Sequence, residues 1–287
     1  MKRILFLATT LLFSFAAAAE PVSVVAAENF YGDVARQIGG AQVAVASILS
    51  SPDQDPHLFE ASPSTARQLA GARIVIVNGA DYDPWMEKLL AASPAPGRRE
   101  IVVAALVGAK SGDNPHIWYD PATIRALAAR LTADLSVVDP EHAADYRRRA
   151  EAFAATLKPL EKRIAAMKGE YAGAPVTATE PVFGAMAQAL GLDMRNKRFQ
   201  LAVQNDAEPS VSDVAAFEDD LRGHKVRVMI YNLQANEPAA QRLVKLAEDQ
   251  KIPVVGVTET MPSGQTWQEW MLSQLAALDH ALTGQTN

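Results

Sequence analysis

Two histidines in similar local sequences are the residues of this chain best suited to binding a metal ion. Residues 55–59 (DPHLF) and 114–118 (NPHIW) share the order acidic or amide residue, proline, histidine, aliphatic residue and aromatic residue, and the chain has only five histidines. A residue before proline is pushed toward extended backbone, which fixes the approach of each imidazole. A single Pro-His pair is usually a turn, but the duplicated pattern favours His57 and His116 as ligands of one metal ion.

Two glutamates complete a candidate ligand set, because all four residues follow predicted strands. Ligands in open α/β sheets bind beyond the carboxyl ends of the strands, where the loops converge. His57 follows strand 43–49, His116 follows strand 101–103, Glu180 ends strand 175–179 and Glu259 ends strand 253–258. Two candidates come from each half of the chain, so the pattern predicts a metal ion held in a cleft between two lobes.

Each glutamate also has a simpler interpretation. Glu180 precedes Pro181 at a predicted helix start, where a carboxylate interacts favourably with the positive end of the helix dipole. Glu259 could be solvated at a strand exit, and Asp206 is an alternative ligand that ranks below it. With two neutral imidazoles and two carboxylates the cluster around a divalent ion is neutral, and four protein ligands leave no evident position for an activated water. The set therefore favours binding over hydrolysis.

The elements that must position these residues alternate between short apolar strands and amphipathic helices. This alternation predicts βαβ units and an α/β fold of two lobes with mainly parallel sheets, joined by one long α-helix. The expected boundaries are a signal peptide at 1–19, an N-terminal lobe at 20–138, a linking helix at 139–169 and a C-terminal lobe at 170–287.

The linking helix carries an apolar seam with steps of three and four residues. Its members are Tyr146, Ala150, Phe153, Leu157, Leu160, Ile164 and Met167. A coiled-coil dimer is the alternative, but the seam is short and contains Pro159. We predict an intramolecular helix, kinked near Pro159.

The N-terminal residues predict export. Lys2 and Arg3 precede an apolar run and the small residues 16–19, which is typical of a signal peptide cleaved after Ala19. A retained membrane anchor is the less favoured alternative.

The absence of cysteine excludes a disulfide framework, thiolate ligands and lipidation on an N-terminal cysteine, and favours a bacterial periplasm. Cleavage takes the net charge from −6 to −8, a poor match for nucleic acid.

These residues resemble the substrate-binding proteins of metal ABC importers that carry zinc, manganese or iron(II). The resemblance covers essentially the mature chain and rests on 55–57, 114–118 with Asp120, Glu180 followed by Phe183, 208–210 and 257–259. It implies two α/β lobes joined by a long helix, a metal ion between them as the transported ligand, and ligands at the positions of His57, His116, Glu180 and Glu259. The implied partner is an inner-membrane ABC permease, and the receptor is expected to be a monomer without enzymatic activity.

Two departures from that family bear on the choice of metal. Zinc members often have histidine at the position of Glu180 and a histidine-rich loop between the first two ligands, whereas residues 58–115 contain no histidine. The fourth ligand is usually aspartate, and Glu259 is one methylene longer. An oxygen-rich shell favours manganese or iron(II), although zinc remains a strong binder, so manganese and zinc both remain candidates for the bound metal.

The alternative functions from other classes of protein are an exported metal-dependent hydrolase and a surface adhesin.

Overall fold

A computed structural model of the chain describes residues 20–51, 59, 62–205, 207–234 and 238–284. His57 and Asp206, as well as the predicted signal peptide, lie outside the described residues. Within these ranges no helix combines the length and apolar character needed to cross a membrane.

The first half of the chain folds around a parallel four-stranded sheet. Its strands are β1 (Val22–Glu28), β2 (Val43–Leu49), β3 (Ile74–Val77) and β4 (Arg99–Val102), in the order β2-β1-β3-β4. Its helices are α1 (Asn29–Gly39), α2 (Pro63–Ala70), α3 (Pro84–Ala92), α4 (Val103–Val107) and α5 (Pro121–Val138). Runs of β-branched residues that are buried on both faces form β1 and β3, as expected for a parallel sheet covered by helices.

The predicted linking helix is present as two consecutive helices, α6 (Ala143–Thr156) and α7 (Lys158–Tyr171), which follow a short 3-10 turn at Pro140–His142. They are interrupted only at Leu157, one residue after the end of α6, and Pro159 occupies the first turn of α7. Proline cannot donate the backbone hydrogen bond that a continuous helix needs there, so the break falls where the sequence predicts a kink. Tyr146, Phe153, Leu157, Leu160 and Met167 of the predicted seam are buried.

The second half repeats the same sheet order. Its strands are β5 (Pro175–Ala178), β6 (Asp193–Met194), β7 (Val228–Asn232) and β8 (Val254–Val257), in the order β6-β5-β7-β8 and all parallel. Its helices are α8 (Gly184–Ala189), α9 (Lys197–Gln204), α10 (Val211–Arg222), α11 (Pro238–Asp249) and α12 (Trp267–Thr283). Each half therefore places its first strand, β1 or β5, inside the sheet.

The two halves share one apolar core. A single cluster of buried side chains runs from β1 through the seam of α6 and α7 to α12. Side-chain hydrogen bonds also cross between the halves: Asn29 donates to and accepts from the backbone of Met261, and Asp33 accepts from the backbone N–H of Trp267. Trp267 and Trp270, near the start of α12, are buried in this shared core.

Candidate metal site

Three of the four predicted ligands are described, and all three lie at the carboxyl ends of the sheets. His116 lies in the segment between α4 and α5, while Glu180 and Glu259 each come two residues after the ends of β5 and β8. Their exposed fractions are 1%, 6% and 0%. The solvated interpretation of Glu259 is therefore wrong. One detail of the prediction also changes, since Val103 begins the short helix α4 instead of ending a strand.

His116 is held in one tautomer by Asn114. The Asn114 side-chain N–H donates to the carbonyl of Pro181 (2.8 Å), which directs its Oδ1 toward the imidazole Nδ1 at 2.7 Å. Because Oδ1 can only accept, Nδ1 must carry the proton, and the lone pair of a neutral ring is then on Nε2. His116 Nε2 is buried and has no hydrogen-bond partner among the described residues. Through this lone pair, a neutral His116 ring can bind a cation.

Close packing at Gly184 makes this arrangement of Asn114 possible. A Cβ added at Gly184 would lie 2.7 Å from the Asn114 side-chain nitrogen. Gly184→Ala should therefore displace the Asn114 amide, release the His116 tautomer and weaken metal binding by about 10- to 100-fold, the usual cost of losing a partner of a metal ligand. Isothermal titration of the metal-free protein measures this change.

Gly169→Ala is the matched control for that experiment, because Gly169 is also helical and its added Cβ meets nothing within 4 Å. It should leave metal affinity unchanged. Equal affinities for the two variants would show that Asn114 does not prepare His116.

The two glutamates are joined by one amide. The Asn232 side-chain nitrogen donates to Glu259 Oε1 (2.6 Å) and to Glu180 Oε2 (3.1 Å). Glu259 Oε2 accepts from the Tyr82 hydroxyl at 3.0 Å and lies 3.4 Å from His116 Nε2. His116 and Glu259 thus bring one residue from each half into contact. Asn232 holds the Glu180 and Glu259 carboxylates next to each other.

Gln234 holds the backbone that presents Glu259. Its side-chain oxygen accepts from the backbone N–H groups of Glu259 (2.6 Å) and Thr260 (3.1 Å), and its nitrogen donates to the Thr260 hydroxyl. The loop after β8 is thus fixed by side-chain amides of the β7 end. The sequence interpretation missed Asn232, Gln234 and Tyr82. A polar residue that ends an otherwise apolar strand, as Asn232 does, was the available signal.

Aromatic side chains enclose His116. Trp118 and Tyr119 are fully buried, and the Trp118 ring lies 5.2 Å from the imidazole. Burial, together with the Glu259 and Glu28 carboxylates, raises the pKa of Tyr82 well above its usual range, so its hydroxyl stays a proton donor to Glu259. Phe59, which follows the first Pro-His pair, packs on Trp85 at 4.3 Å between ring centroids.

The remaining histidines and acids lie elsewhere. His142 pairs with Asp139, and His224 and His280 are exposed. Glu208 is exposed, and Ser210 caps α10 by accepting from the backbone N–H of Asp213. Within the described ranges, which exclude His57, no group of three or more His, Asp or Glu side chains is close enough to hold a metal ion.

Two parallel α/β lobes with buried histidine and carboxylate side chains at their junction define a bilobed binding protein of the kind that encloses a small ligand. Comparison with known proteins identifies the family. The sequence profile of the zinc-uptake complex component A, periplasmic (ZnuA), matches residues 24–281, and the chain belongs to this family.

Relatives and solved structures agree with that assignment. The chain is 25% identical over 241 residues to the manganese-binding lipoprotein MntA of Bacillus subtilis, covering 80% of this chain and 77% of the relative. It is 24% identical over 239 residues to the iron-binding protein YfeA of Yersinia pestis, covering 79% and 74%. The periplasmic zinc-binding protein TroA of Treponema pallidum has the same fold, with a TM-score of 0.77, 15% identity and coverage of 92% of this chain and 99% of that structure.

Proposed function

We propose that this protein captures one divalent transition-metal ion, manganese or zinc, and delivers it to an inner-membrane ABC permease. The observation that carries the proposal is the buried Nε2 of His116, which faces the Glu259 carboxylate across the junction of the two lobes. Glu180 is tied to the same point by Asn232. His57, which follows β2 in the sequence, is proposed as the fourth ligand.

The ion is cargo, and the protein's residues only bind and release it. No reaction is needed to account for the buried histidine and glutamates, and membership of an importer family gives no support to the exported metal-dependent hydrolase. The oxygen-rich donor set admits manganese and iron(II) as well as zinc. Relatives that are named for the metal they bind include manganese-, iron- and zinc-binding proteins.

The location of the protein follows from its proposed role. We infer that the segment 1–19 is a signal peptide cleaved after Ala19 and that the mature monomer works in the periplasm, where its cargo and the permease are both accessible. Its formal charge of −8 after cleavage suits a receptor for cations.

The test is direct measurement of metal content. Protein 20–287, stripped with chelator and then exposed to manganese or zinc, should retain about one ion per chain after desalting, as a four-ligand site requires. Elemental analysis by mass spectrometry gives the stoichiometry, and competition between the two metals gives their relative affinities. Protein that retains neither metal would disprove the proposal.

A further inference from the structure

One buried carboxylate next to the candidate metal site has no assigned role. Glu28 is the last residue of β1 and is fully buried, and no side-chain amide or hydroxyl of the described residues donates to its carboxylate, which lies beside the Asp83 carboxyl. An ionised carboxylate in this state is unfavourable unless a positive charge balances it. Glu28 therefore needs a cation or a proton.

The alternation of β1 directs Glu28 toward the junction of the lobes. Val22, Val24 and Ala26 point into the core that both halves share, whereas Val25 and Ala27 point into a separate cluster under α2 and α3. Side chains two residues apart lie on the same face of a strand, so Glu28 continues the first series. The shared core also contains Tyr82 and Trp118, which contact His116.

The repeated sheet order makes Glu28 the counterpart of Glu180. In the first half Ala26 pairs with Ile76, and in the second half Ala178 pairs with Ile230. Two residues after each alanine comes a glutamate, and two residues after each isoleucine comes an asparagine, Asn78 or Asn232. The position that supplies a proposed ligand in one lobe thus carries the same residue type in the other.

The two glutamates differ in what their asparagines do. Asn232 donates to Glu180, but Asn78 donates to the carbonyls of Gly79 and Pro115 and accepts from the Tyr31 hydroxyl. Asn78 therefore holds Pro115, the residue before His116, and does not donate to Glu28. Unlike Glu180, Glu28 has no asparagine donor among the described residues that would occupy an oxygen needed for a metal ion.

The acids around Glu28 do not balance its charge. Burial and the adjacent Asp83 carboxylate raise the pKa of Glu28 well above its usual range. Asp83 is itself held by the backbone N–H groups of Asn78 and Gly79, and burial raises its pKa to about 6. The strongest electrostatic neighbour of Glu28 is thus another acid. A divalent ion at the junction would attract the Glu28 carboxylate, although Glu180 and Glu259 already match its two positive charges.

We propose that Glu28 is an additional oxygen ligand of the transported ion and that it selects manganese(II) or iron(II) over zinc(II). It adds a third carboxylate to those of Glu180 and Glu259 beside the His116 imidazole. Manganese and iron(II) accept six-coordinate, oxygen-rich shells, whereas zinc is satisfied by four ligands in a tetrahedron. The fifth protein ligand therefore benefits the larger ions most. This inference rests on the proposed function.

The experiment compares wild-type protein 20–287 with Glu28→Gln, which keeps the shape of the side chain and removes its charge. Manganese affinity should fall by about tenfold or more and zinc affinity by less than about threefold, because only manganese depends on the extra oxygen donor. The electron paramagnetic resonance spectrum of bound manganese should change as one carboxylate leaves its shell. Glu248→Gln, on an exposed part of α11, is the control for loss of one negative charge.

The outcomes separate this inference from the function on which it rests. Wild-type protein that binds neither metal contradicts the proposed function. Wild-type binding with equal losses for both metals in Glu28→Gln, or no loss, overturns the role of Glu28 alone. Thermal unfolding of the metal-free variants checks that they are folded. If Glu28→Gln does not fold, Glu28→Asp replaces it in the experiment. This variant keeps the charge but shortens the side chain, and it should lower the manganese-to-zinc affinity ratio.

Discussion

His116→Ala is expected to abolish retention of the metal ion. The imidazole is almost fully buried, and its Nε2 lies 3.4 Å from Glu259 Oε2. Its removal takes away a proposed ligand and also the side chain of the first lobe that contacts Glu259 of the second lobe. The loss of affinity should exceed the about 10- to 100-fold that changes in the partners of a metal ligand cause. Elemental analysis after desalting should find less than stoichiometric metal.

The control for this variant is His280→Ala. His280 is exposed on the last turns of α12 and has no part in the candidate site, so its replacement should leave stoichiometry and affinity unchanged. Far-UV circular dichroism of both variants without metal verifies folding. Full metal retention by folded His116→Ala protein would contradict the assignment of His116 as a ligand.

Much of the fold is predictable because its strands are short runs of β-branched residues between helix-forming segments. The predicted strands over 22–27, 43–49 and 74–77 match β1, β2 and β3 to within one residue. Strand β6 has only two residues and cannot show a period, and α9 follows Asn196 in left-handed conformation without a start signal. Helix α5 was not predicted, although Asp120 caps it and Pro121 opens it, which are clear start signals.

The candidate site is only partly predictable. Residue type and position after a strand are enough to select His116, Glu180 and Glu259, and the structure buries all three. Their hydrogen-bond partners depend on side-chain directions and on strand register, which no local pattern contains. Asn232 joins Glu180 to Glu259 only because β7 lies between β5 and β8, and Glu28 becomes the counterpart of Glu180 only when the two sheets are aligned.

The second large effect is expected for Trp118→Ala. The indole is fully buried and packs on Phe30 at 4.6 Å, on Tyr82 at 4.7 Å and on the His116 ring at 5.2 Å. Its truncation leaves a large cavity between the lobes and should lower the free energy of unfolding by about 3 to 5 kcal/mol. Urea unfolding in excess chelator measures this loss without the stabilisation that bound metal adds. Metal affinity should also fall, because the His116 ring loses its packing.

Two matched variants separate stability from support of the site. Phe199→Ala removes an equally buried ring from the separate core beside α10, so it should reduce stability but leave metal affinity unchanged. Trp118→Phe keeps an aromatic ring beside His116 and removes an indole N–H that has no hydrogen-bond partner in the described parts of the chain, so it should cost much less than Trp118→Ala. Because both alanine variants create cavities, only a difference between their metal affinities can come from the position of Trp118. If folded Trp118→Ala protein binds metal as tightly as Phe199→Ala protein does, the hydrogen bond that His116 Nδ1–H donates to Asn114 is sufficient to orient the ring.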